Sequence, residues 1–288
     1  MAATTVKKNL INTITGEKGG VGKTTFGSGF VEYYSHKNLI HTLIDVDETN
    51  PVTGLTYASE QHKLDLPVGG DYDDADLTED EKKQGVKQGG RIIFSDREEE
   101  FFIADKIYEA ALKQDVILVL PSQIQPKYVR WITTNDLANS NSDVEIVNWF
   151  LCDGSAESLL MLKSSMTDLA GIKHILVKNL HFGSAASWKK FDSTYASHLG
   201  DLVPDAVISL PKLCLPSKEI EMLRSEYIPL KDGIERVATL SKRRLRKFLD
   251  DTFAAIDETG LIAGAVSQEP KPAKPDKNKP AEQMPAAS

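Results

Sequence analysis

The chain has 288 residues, 41% of them hydrophobic and 26% charged, which is enough to bury a full core, and its formal net charge is −8. That balance excludes a protein that coats nucleic acid over its whole surface, although a local basic patch sets its own contacts. Its two cysteines, Cys152 and Cys214, stand far apart and exclude a disulfide framework and a cysteine metal site.

From the N-terminus, Met1 to Asn9 lacks the apolar stretch of a signal peptide, and no uncharged apolar run reaches the roughly 18 residues of a membrane span. A cytoplasmic chain with no membrane partner is expected. "NLINTIT" (9–15) is β-branched and apolar, glycines follow, and "TTFGSGFVEYYSHKN" (24–38) has the length and spacing of a helix. "LIHTLIDVD" (39–47) reads as a second buried strand ending in carboxylates. Residues 65–90 carry eight acidic and three basic residues with five glycines and no apolar periodicity, the pattern of an exposed loop or insertion. Further strands are predicted at 91–95, 115–121, 145–152, 174–180 and 206–211, separated by helix-length stretches. "KEIEMLRSEY" reads as a helix and 233–257 as one long amphipathic helix. Proline, lysine and alanine dominate 265–288, which cannot form a packed core and is read as a disordered tail. This alternation predicts one doubly wound α/β domain over residues 1–264, built on a mostly parallel sheet.

"TGEKGGVGKTT" (15–25) falls at the first strand-to-helix boundary. Glycines there let backbone N–H groups converge on phosphate oxygens, and the helix N-terminus adds partial positive charge. Gly22-Lys23-Thr24 matches the end of the phosphate-loop pattern, in which Lys23 reaches the β- and γ-phosphates and the Thr24 hydroxyl ligates Mg²⁺. The regular pattern has glycine five positions before Gly22, where this chain has Glu17, and an additional lysine, Lys18, follows it. Asp45 and Asp47 end the second strand on the carboxyl edge, where ligands of open α/β sheets gather. An acid is also sought after an apolar strand, and Asp96 and Asp153 compete for that place. Asn179, at a predicted strand end, carries an amide able to offer a donor and an acceptor to an adenine edge.

"KGGVGKTT" resembles the deviant Walker A box of the ParA/MinD family of ATPases, with Lys18 as its signature lysine. The resemblance implies a Mg²⁺-dependent ATPase whose ATP is held by Gly19, Gly20, Val21, Gly22, Lys23, Thr24 and Thr25. It also implies a homodimer that closes on ATP, with Lys18 of each subunit reaching the phosphates of the other. In the same terms Lys18, Lys23 and Asp47 are catalytic, Asp47 orienting the attacking water. Asp45 helps to hold the Mg²⁺ shell. "DVILVLPSQ" resembles the strand after Walker B, which points to Asp96 as a further metal ligand. The usual D-x-P is replaced here by Asp96-Arg97-Glu98, so slow hydrolysis is expected. Asn179 stands near the family's base-contacting asparagine, and "ISLPKL" resembles the loop along the base, adding Pro211 and Lys212. Over residues 10–240 the order of features is most similar to the plasmid-borne TraL and StbB-like branch.

Relatives bind DNA non-specifically through basic residues near the C-terminus, and here Lys242, Arg243, Arg244, Arg246 and Lys247 fall on a predicted helix. An adaptor or centromere-binding protein is the implied protein partner. The expected function is a switch that positions or partitions plasmid DNA or another cargo. The rivals are an ATP-binding adaptor without turnover and an ATP-dependent small-molecule ligase of the same fold. Iron-protein chemistry is excluded, because Cys152 and Cys214 make no cluster pair.

Overall fold

The computed structural model describes residues 8–47, 50–58, 92–183 and 185–262. The expected insertion at 65–90 and the tail at 265–288 lie outside them. Among the described residues, six strands form one sheet: β1 Asn9–Thr15, β2 His41–Asp45, β3 Asp115–Val119, β4 Val144–Cys152, β5 Lys173–Asn179 and β6 Ala206–Leu210. Their order is β2-β3-β1-β4-β5-β6 and each pairing is parallel. In register, Ile11 of β1 stands beside Val116 of β3 and Ile146 of β4. All six carboxyl ends therefore reach one edge of the sheet.

Parallel strands need crossovers, and helices supply them on both faces. In chain order these are α1 Lys23–His36, α2 Val52–Thr56, α3 Glu98–Phe101, α4 Asp105–Ala111, α5 Gln125–Thr134, α6 Ala156–Asp168, α7 Ala185–Leu199, α8 Ser217–Ser225, α9 Leu230–Arg236 and α10 Thr239–Asp257. Because side chains alternate along a strand, Leu10 and Ile14 of β1 pack with α1 and α10, while Ile11 packs with α4 and α5. Phe150 and Cys152 of β4 meet α6 and α7 in a third cluster. The fold is doubly wound, as the alternation predicts. Cys152 is a buried free thiol and Cys214 an exposed one. No helix among the described residues is long and apolar enough to cross a membrane.

Polar groups run through the middle of this sheet. The fully buried Asn12 donates from Nδ2 to the Tyr34 hydroxyl at 2.9 Å and accepts at Oδ1 from the Trp149 indole at 3.0 Å. Tyr34 in turn donates to Asp115 Oδ2 at 3.0 Å. An apolar replacement would leave the indole N–H without an acceptor, so Asn12→Leu is expected to destabilise the fold by about 2 to 4 kcal/mol. Urea denaturation followed by Trp fluorescence measures this as a lower midpoint with unchanged slope.

Two expected elements differ. Ile92 to Ser95 is not a strand. Ile92 and Phe94 point instead into the core under α5, with Phe94 ring-to-ring at 5.6 Å from Tyr128 and 5.7 Å from Trp131. Apolar alternation there serves packing on a helix and not a ladder. The single helix expected over 233–257 is also two helices, since α9 stops at Arg236 and α10 begins at Thr239. Val237 is extended and buried at 6% exposure, and the Ala238 N–H is taken by Glu219 Oε1 at 2.9 Å, so the chain is pinned where a continuous helix would pass.

Candidate functional site

The sheet delivers its first loop to the carboxyl edge between its central strand and α1. Gly20 (φ 74°) and Gly22 (φ 106°) occupy left-handed conformations that a side chain resists, which explains glycine at both positions. Gly22 is also the N-cap of α1, where no side chain caps the helix and no acid sits in the first turn. The partial positive charge of this 14-residue helix is thus left for an anion. Thr24 and Thr25 lie in that first turn, and Val21 is buried at 2% exposure, anchoring the loop.

Lys23 turns back over the loop. Its Nζ donates to Gly16 O at 2.7 Å and to Lys18 O at 3.4 Å. Burial pushes its pKa down, opposed by the negative charges of Glu17 and Asp47. The fold therefore gathers Lys23, Asp47 and Glu17, the last of which the sequence marked as a departure from the pattern without giving it a role.

The two acids of the D-x-D segment have different tasks. Asp47 accepts the Asn50 N–H at 2.9 Å, and its charge helps to hold up the pKa of Lys23. Asp45 accepts the Asp47 N–H at Oδ1 (3.2 Å) and the Gly54 N–H at Oδ2 (3.0 Å). Burial pushes its pKa up to about 6 against those backbone hydrogen bonds. Asp45 is in this way the anchor of the turn into α2.

Lys18 points elsewhere. Its Nζ is 2.7 Å from Asp153 Oδ2 and 3.6 Å from Glu157 Oε2, at the end of β4 and the start of α6. Burial raises the Asp153 pKa, but hydrogen bonds from Lys18 and Ser155 outweigh it and hold the carboxyl at about 2. Neither the bridge nor Glu157 was legible beforehand, because the partners lie 135 residues apart in the chain.

Asp96 does not follow a strand. It sits in the turn before α3, its side chain 74% exposed and 3.5 Å from Lys127. The premise that made it a candidate metal ligand is thereby removed, while Asp153 does directly follow a strand beside β1. Asn179 is 4% exposed and braces the loop, donating to Val21 O at 2.8 Å and accepting the His181 N–H at 3.0 Å. Pro211 and Lys212 follow β6 directly. On α10, Lys242 and Arg246 reach Glu235 at 2.8 and 3.6 Å, and Lys247 reaches Asp251 at 2.8 Å. Arg243 and Arg244 are exposed on the same helix.

Among the described residues no three His, Cys, Asp or Glu side chains gather into a metal cage. A hard divalent cation carried by phosphates needs no cage, only one or two carboxylates and a hydroxyl. Glu17 Oε1, buried without a hydrogen-bond partner, is an oxygen of the required kind beside the loop. The residues present fit Mg²⁺ arriving with a nucleotide.

No protein-family model and no curated protein matches the chain. Among solved structures, it is similar to the septum site-determining protein MinD complexed with Mg-ADP from Pyrococcus horikoshii, at 14% identity and TM-score 0.47, over 89% of this chain and 98% of that one. A nucleotide-binding protein in complex with ADP from Archaeoglobus fulgidus is similar at 14% identity and TM-score 0.43, over 80% and 93%. By its own strand order and pairing, the chain is a doubly wound, parallel α/β protein with a glycine loop between β1 and α1.

Proposed function

We propose that this chain binds Mg²⁺-ATP in the loop between β1 and α1, closes into a homodimer on it, and opens again after slow hydrolysis. The observation that supports this most is the loop itself: left-handed glycines, an uncapped helix N-terminus, and Lys23 folded over its carbonyls. Phosphate oxygens arriving there would take Lys23 from Gly16 O and Lys18 O. Thr24 is a residue that would hold the cation, which supplies charge neutralisation on the phosphates. Asp47, whose charge is felt at Lys23, would aim the water. Asn179 has a second N–H to offer a base, with Pro211 and Lys212 alongside.

Cargo positioning, of plasmid DNA or another load through an adaptor or centromere-binding protein, is the role that suits such a cycle. Contact of α10 with DNA would exchange intramolecular ion pairs for phosphates, and binding would be salt-sensitive. The second reading is an adaptor that holds ATP without turnover. It is favoured by the carboxyl end of β3, Leu120-Pro121, which carries no acid next to β1.

Sizing chromatography tests the switch. The protein is expected to run as a dimer with Mg²⁺-ATP and as a monomer with Mg²⁺-ADP. Coincident elution in both, repeated with Asp47→Ala to block hydrolysis, would refute it. Phosphate release by the wild type separates switch from adaptor.

A further inference from the structure

Glu17 stands where the regular pattern has glycine. Its carboxyl is pushed up by burial, against the opposing charge of Lys23 and the nearby backbone N–H groups of Gln125 and Gln123 in the turn after β3. Gln123 in that turn has a left-handed backbone, φ 62°. Non-glycine residues in that region are uncommon and concentrate at functional turns. The carboxylate also lies in the field of Lys23. Even so, Glu17 Oε1 is buried with no hydrogen-bond partner. Folding gains nothing from such an oxygen, which is however ready to meet a cation.

The neighbouring strand adds a second observation. β3 pairs with β1, so its carboxyl end adjoins the glycine loop, and a Cβ placed on Gly19 would lie 3.9 Å from Ser122 Oγ. That end offers Leu120, 1% exposed and packed in the core, where an acid would face the phosphates. Asp45 is engaged by two backbone N–H groups and Asp96 lies out on α3's approach.

We propose that Glu17 supplies the missing acid from within the loop: its unpartnered Oε1 binds the divalent cation that accompanies the nucleotide phosphates, directly or through one metal-held water. This rests on the nucleotide reading above. A carboxylate inside a polyphosphate loop repels the ligand unless a cation lies between them. Glu17 therefore makes nucleotide binding depend on the metal.

The test is the affinity of the 288-residue chain for a fluorescent ATP analogue, measured with Mg²⁺ and with EDTA, for wild type, Glu17→Gln and Glu17→Gly. Glutamine keeps an oxygen for the Gln123 and Gln125 N–H groups, so the loop's brace survives. Wild type is expected to bind about 100-fold tighter with Mg²⁺, and both variants less than about tenfold tighter, their EDTA affinity equal to or better than wild type. Mn²⁺ titration by EPR in the presence of nucleotide should show the same loss of metal affinity. If Glu17→Gln keeps the wild-type Mg²⁺ ratio, or if its affinity falls equally with and without metal, Glu17 is a brace alone and the proposal is overturned. Wild type that binds no analogue in either buffer would instead overturn the nucleotide reading itself.

Discussion

Gly22→Ala is expected to weaken ATP binding by at least about 100-fold, or roughly 3 kcal/mol, and to lower the melting temperature. Two effects act together. Alanine resists the φ of 106° that Gly22 adopts, and its Cβ would stand 2.2 Å from Asn179 Nδ2. The nearest relief is for Asn179 to withdraw, which breaks its bond to Val21 O and frees the loop it braces. Strain of about 1 to 2 kcal/mol and a lost buried hydrogen bond of about 1 kcal/mol account for the size. Titration with a fluorescent ATP analogue and a thermal melt measure both; wild-type affinity in the variant would mean that the loop does not hold phosphate. Asn179→Ala in the Gly22→Ala background should recover little, since the brace is then gone by other means.

Lys18→Ala is expected to leave the fold intact and to abolish ATP-dependent dimerisation, weakening association by about 100-fold or more. The side chain is 42% exposed and its partners Asp153 and Glu157 belong to one edge of the protein, so little of the core depends on it. In the proposed dimer it must leave Asp153 to reach across. Asp153→Ala should then act in the opposite direction, tightening association because no intramolecular acid competes for the lysine. Analytical ultracentrifugation with Mg²⁺-ATP reads both variants. Unchanged association of Lys18→Ala would remove the cross-subunit role, and weaker association of Asp153→Ala would mean that the acid helps to present the lysine.

Local pattern made much of this legible. β1, α1 and β2 follow from β-branched runs, glycine punctuation and helical spacing, and the structure places them within one or two residues of expectation. Alternation of strand and helix was enough for the doubly wound class, because parallel strands leave few other ways to cross. What failed was decided by tertiary contacts. Ile92 and Phe94 carry strand-like alternation, but Phe94 packs on the rings of Tyr128 and Trp131 and Ile92 joins the same core cluster. The break at Val237-Ala238 depends on Glu219, a residue 19 positions away. At the site, the loop residues were legible because their spacing encodes their geometry. The bridge from Lys18 to Asp153 was not, since it joins segments distant in the chain, and the unpartnered Glu17 oxygen was not, since burial by neighbouring segments creates it. Asp96 misled for the same reason: an acid after an apolar run looks alike whether the run is a strand or packs under a helix.

Glu32 of α1, 3% exposed, is where the segment after α2 and the start of α9 are tied together. It accepts from the Tyr57 hydroxyl at 2.9 Å, just past α2, and from the Lys231 N–H at 2.9 Å in α9, while the Leu230 N–H donates to the Tyr57 oxygen at 3.2 Å. Shifting α2 alone would strip a buried carboxyl group of a donor, at a cost of about 1 to 3 kcal/mol. The D-x-D turn and the C-terminal helices must consequently travel as one piece, and a rearrangement begun at either would be felt at the other.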